Sequence, residues 1–209
     1  RRPCSRIARG AIILGTMAVA ACAGSPGRMP DGNAPPRVRR VVVEGVVGFS
    51  ARLRLAAPPG VVENWLLDFD NIADDRPNVL EAALVEAGPD GWLARFRFRG
   101  ALGVNPTTLT RTTRRTEGGA VILDFDSVET SFGLSRVFGS YRIEPFGDGE
   151  CMLTHRLFVD SPFVSVEARE RDLGADAEAI RRRFESGGGQ VEDHPDLVPD
   201  RDPGEPAGD

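Results

Sequence analysis

From Val79 to Asp160, apolar and polar residues alternate through six short runs: Val79 to Ala87, Trp92 to Gly100, Thr107 to Thr116, Ala120 to Val128, Ser135 to Phe146 and Cys151 to Asp160. Turn sequences separate three pairs of them: GPDG after Ala87, EGG after Thr116 and GDG after Phe146. Alternation of this kind predicts strands with one face to bury, and turns this short predict antiparallel hairpins. An earlier run, GFSARLRLA from Gly48, alternates in the same way and predicts a first strand. A sheet with one apolar face needs a cover. The chain supplies it after Asp160, where Val166, Leu173, Ala177, Ile180 and Phe184 fall on one stripe of a helix of roughly twenty residues. Between the first strand and the hairpins, Pro58 and Pro59 suit a helix start, and Val62, Trp65, Leu66 and Phe69 follow at helical spacing. A short second helical turn is expected before Pro77.

The order is strand, one or two short helices, six strands and one long helix, an α+β arrangement with a seven-stranded antiparallel sheet. It resembles the START/Bet v 1-like helix-grip superfamily, also called SRPBCC, of polyketide cyclases and lipid transporters. The segment APPGVVENWLLDFDNIADDRPNVLEAALVE resembles the opening of that family, where a strand ends in Ala-Pro, a helix carries an apolar-Leu-x-Asp-apolar run and a Pro precedes the second strand. The resemblance covers nearly all of residues 41–186. It implies a curved sheet wrapped around the C-terminal helix, with an apolar cavity for a lipid-like or other hydrophobic small molecule.

The ends read differently. Arg1, Arg2, Arg6 and Arg9 form a basic stretch, and the apolar run from Ala11 to Ala21 is too short to cross ~30 Å of hydrocarbon as a helix, so residues 1–21 read as a secretory signal. VAAC, Val19 to Cys22, resembles the bacterial lipobox, which implies cleavage and lipidation at Cys22. Ala23 in place of Asp after the cysteine implies an outer-membrane address, facing the periplasm. Residues 22–40, rich in Pro and small residues, read as a flexible tether, and residues 187–209 as a disordered acidic tail. With Cys4 lost in the signal and Cys22 acylated, Cys151 has no disulfide partner.

Charge and motifs exclude several function classes. All basic residues are Arg, and the formal net charge is −5, which argues against a nucleic-acid partner. DFDNIADDRPNV, from Asp68, has carboxylates at the first and third positions of a calcium loop. Ala73 and Val79 stand where Gly and Glu are required, so its acids are expected to cap helix turns and face solvent. No phosphate-binding glycine loop and no metal-ligand cluster are present, and His194 falls in the tail. No cofactor is implied.

Inward-facing positions supply the candidate site. Trp92, Phe96, Phe98, Leu123 and Phe125 alternate with Arg and Asp, so they point toward the core and the charges toward water. The resemblance adds room for a ligand beside Gly139 and Ala94. A three-residue loop at GDG sets Tyr141 opposite His155 on the inner face, next to Leu153. The pair reads as a polar anchor for a ligand, as an acid/base pair, or as two polar groups satisfying each other inside a packed interior. Cys151 and His155 lie ~14 Å apart along one strand, too far to act together. The candidate ligand-binding set is therefore Tyr141, His155, Phe96, Phe98, Phe125, Leu153 and Gly139. Two rival functions remain open: a cyclase/aromatase-type enzyme using His155 and Tyr141, and a non-catalytic envelope interaction module contacting partners through its tail.

Overall fold

The computed structural model describes residues 36–70, 72–100 and 104–185. The elements run β1 (Arg37–Val43), β2 (Val46–Leu55), α1 (Pro59–Leu67), α2 (Ile72–Asp75), β3 (Val79–Gly88), β4 (Gly91–Phe98), β5 (Thr107–Glu117), β6 (Ala120–Thr130), β7 (Arg136–Pro145), β8 (Cys151–Asp160) and α3 (Val166–Glu185). All strands join one antiparallel sheet in the order β1-β2-β8-β7-β6-β5-β4-β3. This is the α+β helix-grip arrangement. The proposed signal, Cys22, most of the tether, His194 and the acidic tail lie outside the described residues.

The sheet has eight strands rather than the expected seven. The added strand, β1, starts at Arg37, inside the stretch read as a tether. Its partner is β2, and the turn between them is Glu44–Gly45, with φ of 51° and 78°. Positive φ at both central residues makes a tight hairpin whose twist matches the strands. Three consecutive valines, Val41 to Val43, break the alternation that would have marked the strand.

Alternation decides the two faces. Leu53, Leu55, Leu123, Ile143, Cys151, Leu153 and His155 are buried on the inner face. Outward, Arg115 pairs with Asp124 at 2.7 Å, Arg142 with Glu144 at 3.1 Å, and Arg97 with Glu81. The first and last of these pairs are solvent-exposed and the Arg142 pair is half-buried, so each contributes little stability. α1 begins at Pro59, where the missing N–H costs nothing, and the Pro58 carbonyl accepts the first bonds from Val61 and Val62 at 3.1 and 3.3 Å. Ser165 caps α3: its Oγ accepts the Ala168 N–H at 3.1 Å.

Leu173, Ala177, Ile180 and Phe184 of α3 are buried, and the helix packs on β2 with β1 and β8 beside it. Phe184 meets the Trp65 ring edge-on at 5.5 Å, which ties α3 to α1. The helix therefore covers one half of the inner face most closely. On the other half, Trp92, Phe96, Phe98 and Phe125 stay half-buried. Among the described residues no helix is long and apolar enough to cross a membrane.

Candidate functional site

The β7–β8 connection is a three-residue loop, closed by the Phe146 N–H donating to the Glu150 carbonyl at 2.9 Å. Tyr141 consequently lies directly opposite His155. Their rings stack with centroids 4.3 Å apart. Phe125, on β6, lies 5.3 Å from Tyr141 and 6.3 Å from His155. A polar pair thus sits at the edge of an aromatic surface.

Two further residues complete the polar group, and sequence reading overlooked both. Arg76, between α2 and Pro77, donates from Nη1 to the Tyr141 hydroxyl at 2.7 Å and reaches Asp176 Oδ2 at 3.3 Å. Asp176, on α3, also lies 3.2 Å from His155 Nδ1. Four elements of the fold therefore converge: the α2–β3 link, β7, β8 and α3. The Arg76 and Asp176 side chains are only 10% and 12% exposed, so this is a buried ion pair. Asp176 falls three residues after Leu173 and four before Ile180, on the apolar stripe itself. That spacing was the available signal.

Burial sets the protonation states, modified by these partners. Desolvation pushes the His155 pKa below the ordinary imidazole range despite the opposing pull of Asp176, so the ring is neutral near pH 7. Burial alone would raise the Asp176 carboxyl, but the Arg76 guanidinium, helped by His155, outweighs it and holds the carboxyl below the usual range. Burial likewise disfavours charge on Arg76, yet Asp176 and Tyr141 keep it charged. Tyr141 is pushed up by burial and stays a neutral phenol, with Arg76 acting in the opposite direction.

Hydrogen-bonding capacity is left over. Among the described residues, Arg76 Nε and Nη2 are buried without a partner, and neither imidazole nitrogen of His155 has an aligned one. The 3.2 Å approach of Nδ1 to Asp176 is thus an electrostatic contact rather than a well-directed hydrogen bond. Each buried donor left unmade costs about 1–3 kcal/mol. A ligand oxygen placed among these atoms would recover part of that cost.

The apolar part is continuous with the polar one. Phe96 stacks with Phe98 at 6.0 Å and meets Phe69 edge-on at 6.0 Å. Between β4 and β6, the inner face of β5 carries Thr108, Thr110 and Thr112, all buried, with the first two hydroxyls 2.9 Å apart. Sequence reading missed this stripe, although its spacing of two is a strand signal. Leu153 is fully buried core. At Gly139 a Cβ would lie 2.0 Å from the Arg156 carbonyl oxygen and 2.6 Å from Phe125 Cζ, so the Phe125 ring occupies the space above this glycine.

Asp75, expected to face solvent, instead accepts the Trp65 indole N–H at 2.9 Å and lies 3.7 Å from Arg183. Cys151 is a buried free thiol whose pKa burial and Glu150 push up to about 11. Among the described residues no three His, Cys, Asp or Glu side chains gather to hold a metal ion.

A family model described as polyketide cyclase / dehydrase and lipid transport matches residues 46–191. The chain belongs to this family. Solved structures agree in fold. The STAR-related lipid transfer protein of Xanthomonas axonopodis is similar with a TM-score of 0.63 at 18% identity, covering 72% of this chain and 94% of that one. The human StarD13 (DLC2) lipid transfer and protein localization domain gives 0.59 at 22%, covering 74% and 86%. The Zhui aromatase/cyclase of Streptomyces sp. R1128 gives 0.54 at 20%, covering 71% and 94%. At such identities the likeness carries the fold and not the chemistry. No curated protein matches the chain in sequence.

Proposed function

We propose that this member of the polyketide cyclase and lipid transport family binds a lipid-like or other hydrophobic small molecule on the inner face of its sheet. One observation carries the reading: the half-buried rings of Phe96, Phe98 and Phe125 lead to a buried Arg76–Asp176–His155–Tyr141 cluster with unused hydrogen-bonding atoms. Apolar surface would hold the body of the ligand, and the cluster its polar end. The similar lipid transfer structures support the same reading through the shared fold.

The location belongs to the proposal as well. The lipobox at Val19–Cys22 supports a lipid anchor at Cys22, holding the domain in a bacterial envelope, on the outer membrane and facing the periplasm. Labelling with an alkyne-bearing palmitate should mark the protein, and Cys22→Ser should abolish the label. The binding claim is tested by native mass spectrometry of the full chain. Adduct masses removable by organic solvent are expected, with lower occupancy in Phe125→Ser; a chain free of adducts that takes up no apolar compound would contradict the reading.

One feature favours a second reading, a cyclase/aromatase-type enzyme. His155 is neutral, is flanked by Asp176 on its Nδ1 side, and has no partner for Nε2 among the described residues. That is an acid/base arrangement. His155→Ala separates the two: an enzyme loses turnover outright, whereas a binding protein loses only part of its affinity.

A further inference from the structure

Hydrophobic side chains exposed on this domain are unevenly placed. Antiparallel order puts the β1–β2 turn, the β4–β5 and β6–β7 connections and the β8–α3 loop at one end of the sheet. Of the seven large hydrophobics exposed among the described residues, six lie in or beside those connections: Val42, Val43, Val104, Val128, Phe132 and Phe163. Phe132 is 76% exposed and Phe163 82%. An exposed Phe is ordinary by itself; two at adjacent loop tips, within an apolar rim, are not.

The two loops are braced against each other. Ser161 Oγ donates to the Gly133 carbonyl at 2.7 Å and accepts the Phe163 N–H at 3.2 Å. Arg169 Nη2 donates to the Ser161 carbonyl at 2.7 Å. A Cβ on Gly133 would meet Phe163 Cδ2 at 2.3 Å, so the ring lies over the neighbouring loop. Phe132 is held at φ 46°, a conformation that costs a non-glycine residue about 1–2 kcal/mol. The chain thus keeps a bulky ring presented to water at some expense in backbone energy.

We infer that this end of the sheet is a membrane-docking surface, with Phe132 and Phe163 entering the headgroup region of a zwitterionic bilayer. Charge supports that choice of partner. Arg136, beside the rim, is neutralised by Asp126 at 2.5 Å and Glu44 at 2.8 Å, so this arginine offers no net charge to an anionic surface. Chain length supports it too. Fourteen residues separate Cys22 from Arg37, and fully extended they reach roughly 50 Å. β1 climbs only about 23 Å from Arg37 to the rim, so a chain anchored at Cys22 could turn this end toward its own membrane. Phe98 ends β4 at this end and Phe125 stands at the middle of β6, so the aromatic face proposed to hold ligand reaches up to the rim. The inference rests on the lipid-handling reading for its purpose, but not for its test.

Hydrogen exchange of the full chain, with and without phosphatidylcholine vesicles, reads the contact directly. Peptides spanning Ser131–Ser135 and Ser161–Ser165 should exchange several-fold more slowly on vesicles, while the opposite turns at Gly118–Gly119 and Gly147–Gly149 stay unchanged. Anionic lipid should add nothing. In Phe132→Asn/Phe163→Ser that protection should disappear while the melting curve and apolar-ligand uptake persist; Asn tolerates the positive φ. Each Phe withdrawn from water is worth a factor of roughly ten to a hundred in partitioning when fully buried. Vesicle binding without protection at the rim would overturn the inference, as would the same protection appearing without vesicles at high protein concentration, the mark of self-association. In the unsubstituted chain, absence of rim protection on vesicles with intact ligand uptake would sink the docking surface alone. Intact protection with no ligand uptake would sink the binding function alone.

Discussion

His155 Nδ1 lies 3.2 Å from Asp176 Oδ2, and this contact joins the middle of β8 to the middle of α3 inside the protein. Through Asp176 it also connects to Arg76, and through Arg76 to Tyr141. A charged group in this position has consequences for stability that are separable from its consequences for binding.

Removing one member of the buried pair should be severe. Asp176→Asn leaves the Arg76 guanidinium uncompensated, and a loss of about 3–5 kcal/mol is expected in urea unfolding. The double change Arg76→Met/Asp176→Leu removes both charges and should fold within about 1–2 kcal/mol of the parent. It should nonetheless lose affinity for ligands with a polar end. A double variant as unstable as the single one would contradict the pairing.

Stability should fall as pH drops below the ordinary imidazole range, about 6.5. The folded His155 resists protonation because burial disfavours its charge, whereas the unfolded chain accepts the proton, so unfolding is favoured progressively as pH decreases. Asp176 acts at lower pH and in the same direction. Its lowered pKa stabilises the fold above about 3.9, and that contribution is lost as pH falls through the folded value. Melting temperatures measured from pH 8 to pH 4 should show the first step, and His155→Gln should flatten it.

Gly139 offers a check on packing. Its Cβ would collide with the Arg156 carbonyl oxygen and the Phe125 ring, so Gly139→Ala must push the ring off or spread β7 from β8. A loss of about 1–3 kcal/mol is expected. Because Phe125 then shifts relative to Tyr141, binding of an apolar probe should weaken too. Unchanged stability and binding would show that the aromatic surface is looser than described.

Cys151 should be inert. Its thiol is buried and its pKa stands at about 11, so alkylation at pH 8 is expected only at the rate of unfolding. Intact-mass measurement after iodoacetamide treatment of a Cys4→Ser/Cys22→Ser variant reads this directly. Rapid modification would place the thiol on the surface.

Most of the fold could be read from period and punctuation. The six hairpin strands and α3 fall close to where alternation and the helical stripe put them, and the Tyr141–His155 pairing follows from the length of one loop. β1 escaped because Val41 to Val43 interrupt its alternation and because Glu-Gly is a weaker turn signal than Asn-Gly. The polar cluster was only half legible. Arg76 sits in a charged run that reads as solvent-facing, and only tertiary packing folds it under α3. By residue type Asp176 reads as one more surface charge of the helix, although its position lies on the buried stripe. Long-range ion pairs leave no local pattern, so the partner of a buried His is the kind of fact that a single sequence withholds.

In the proposed complex an apolar ligand rests against Phe125 and the neighbouring rings. Fluorescence titration of the full chain with N-phenyl-1-naphthylamine tests it most directly. Saturable binding at a single site is expected, weakened about tenfold or more in Phe125→Ser while circular dichroism stays unchanged. Binding that does not saturate, or that is indifferent to Phe125, would contradict it.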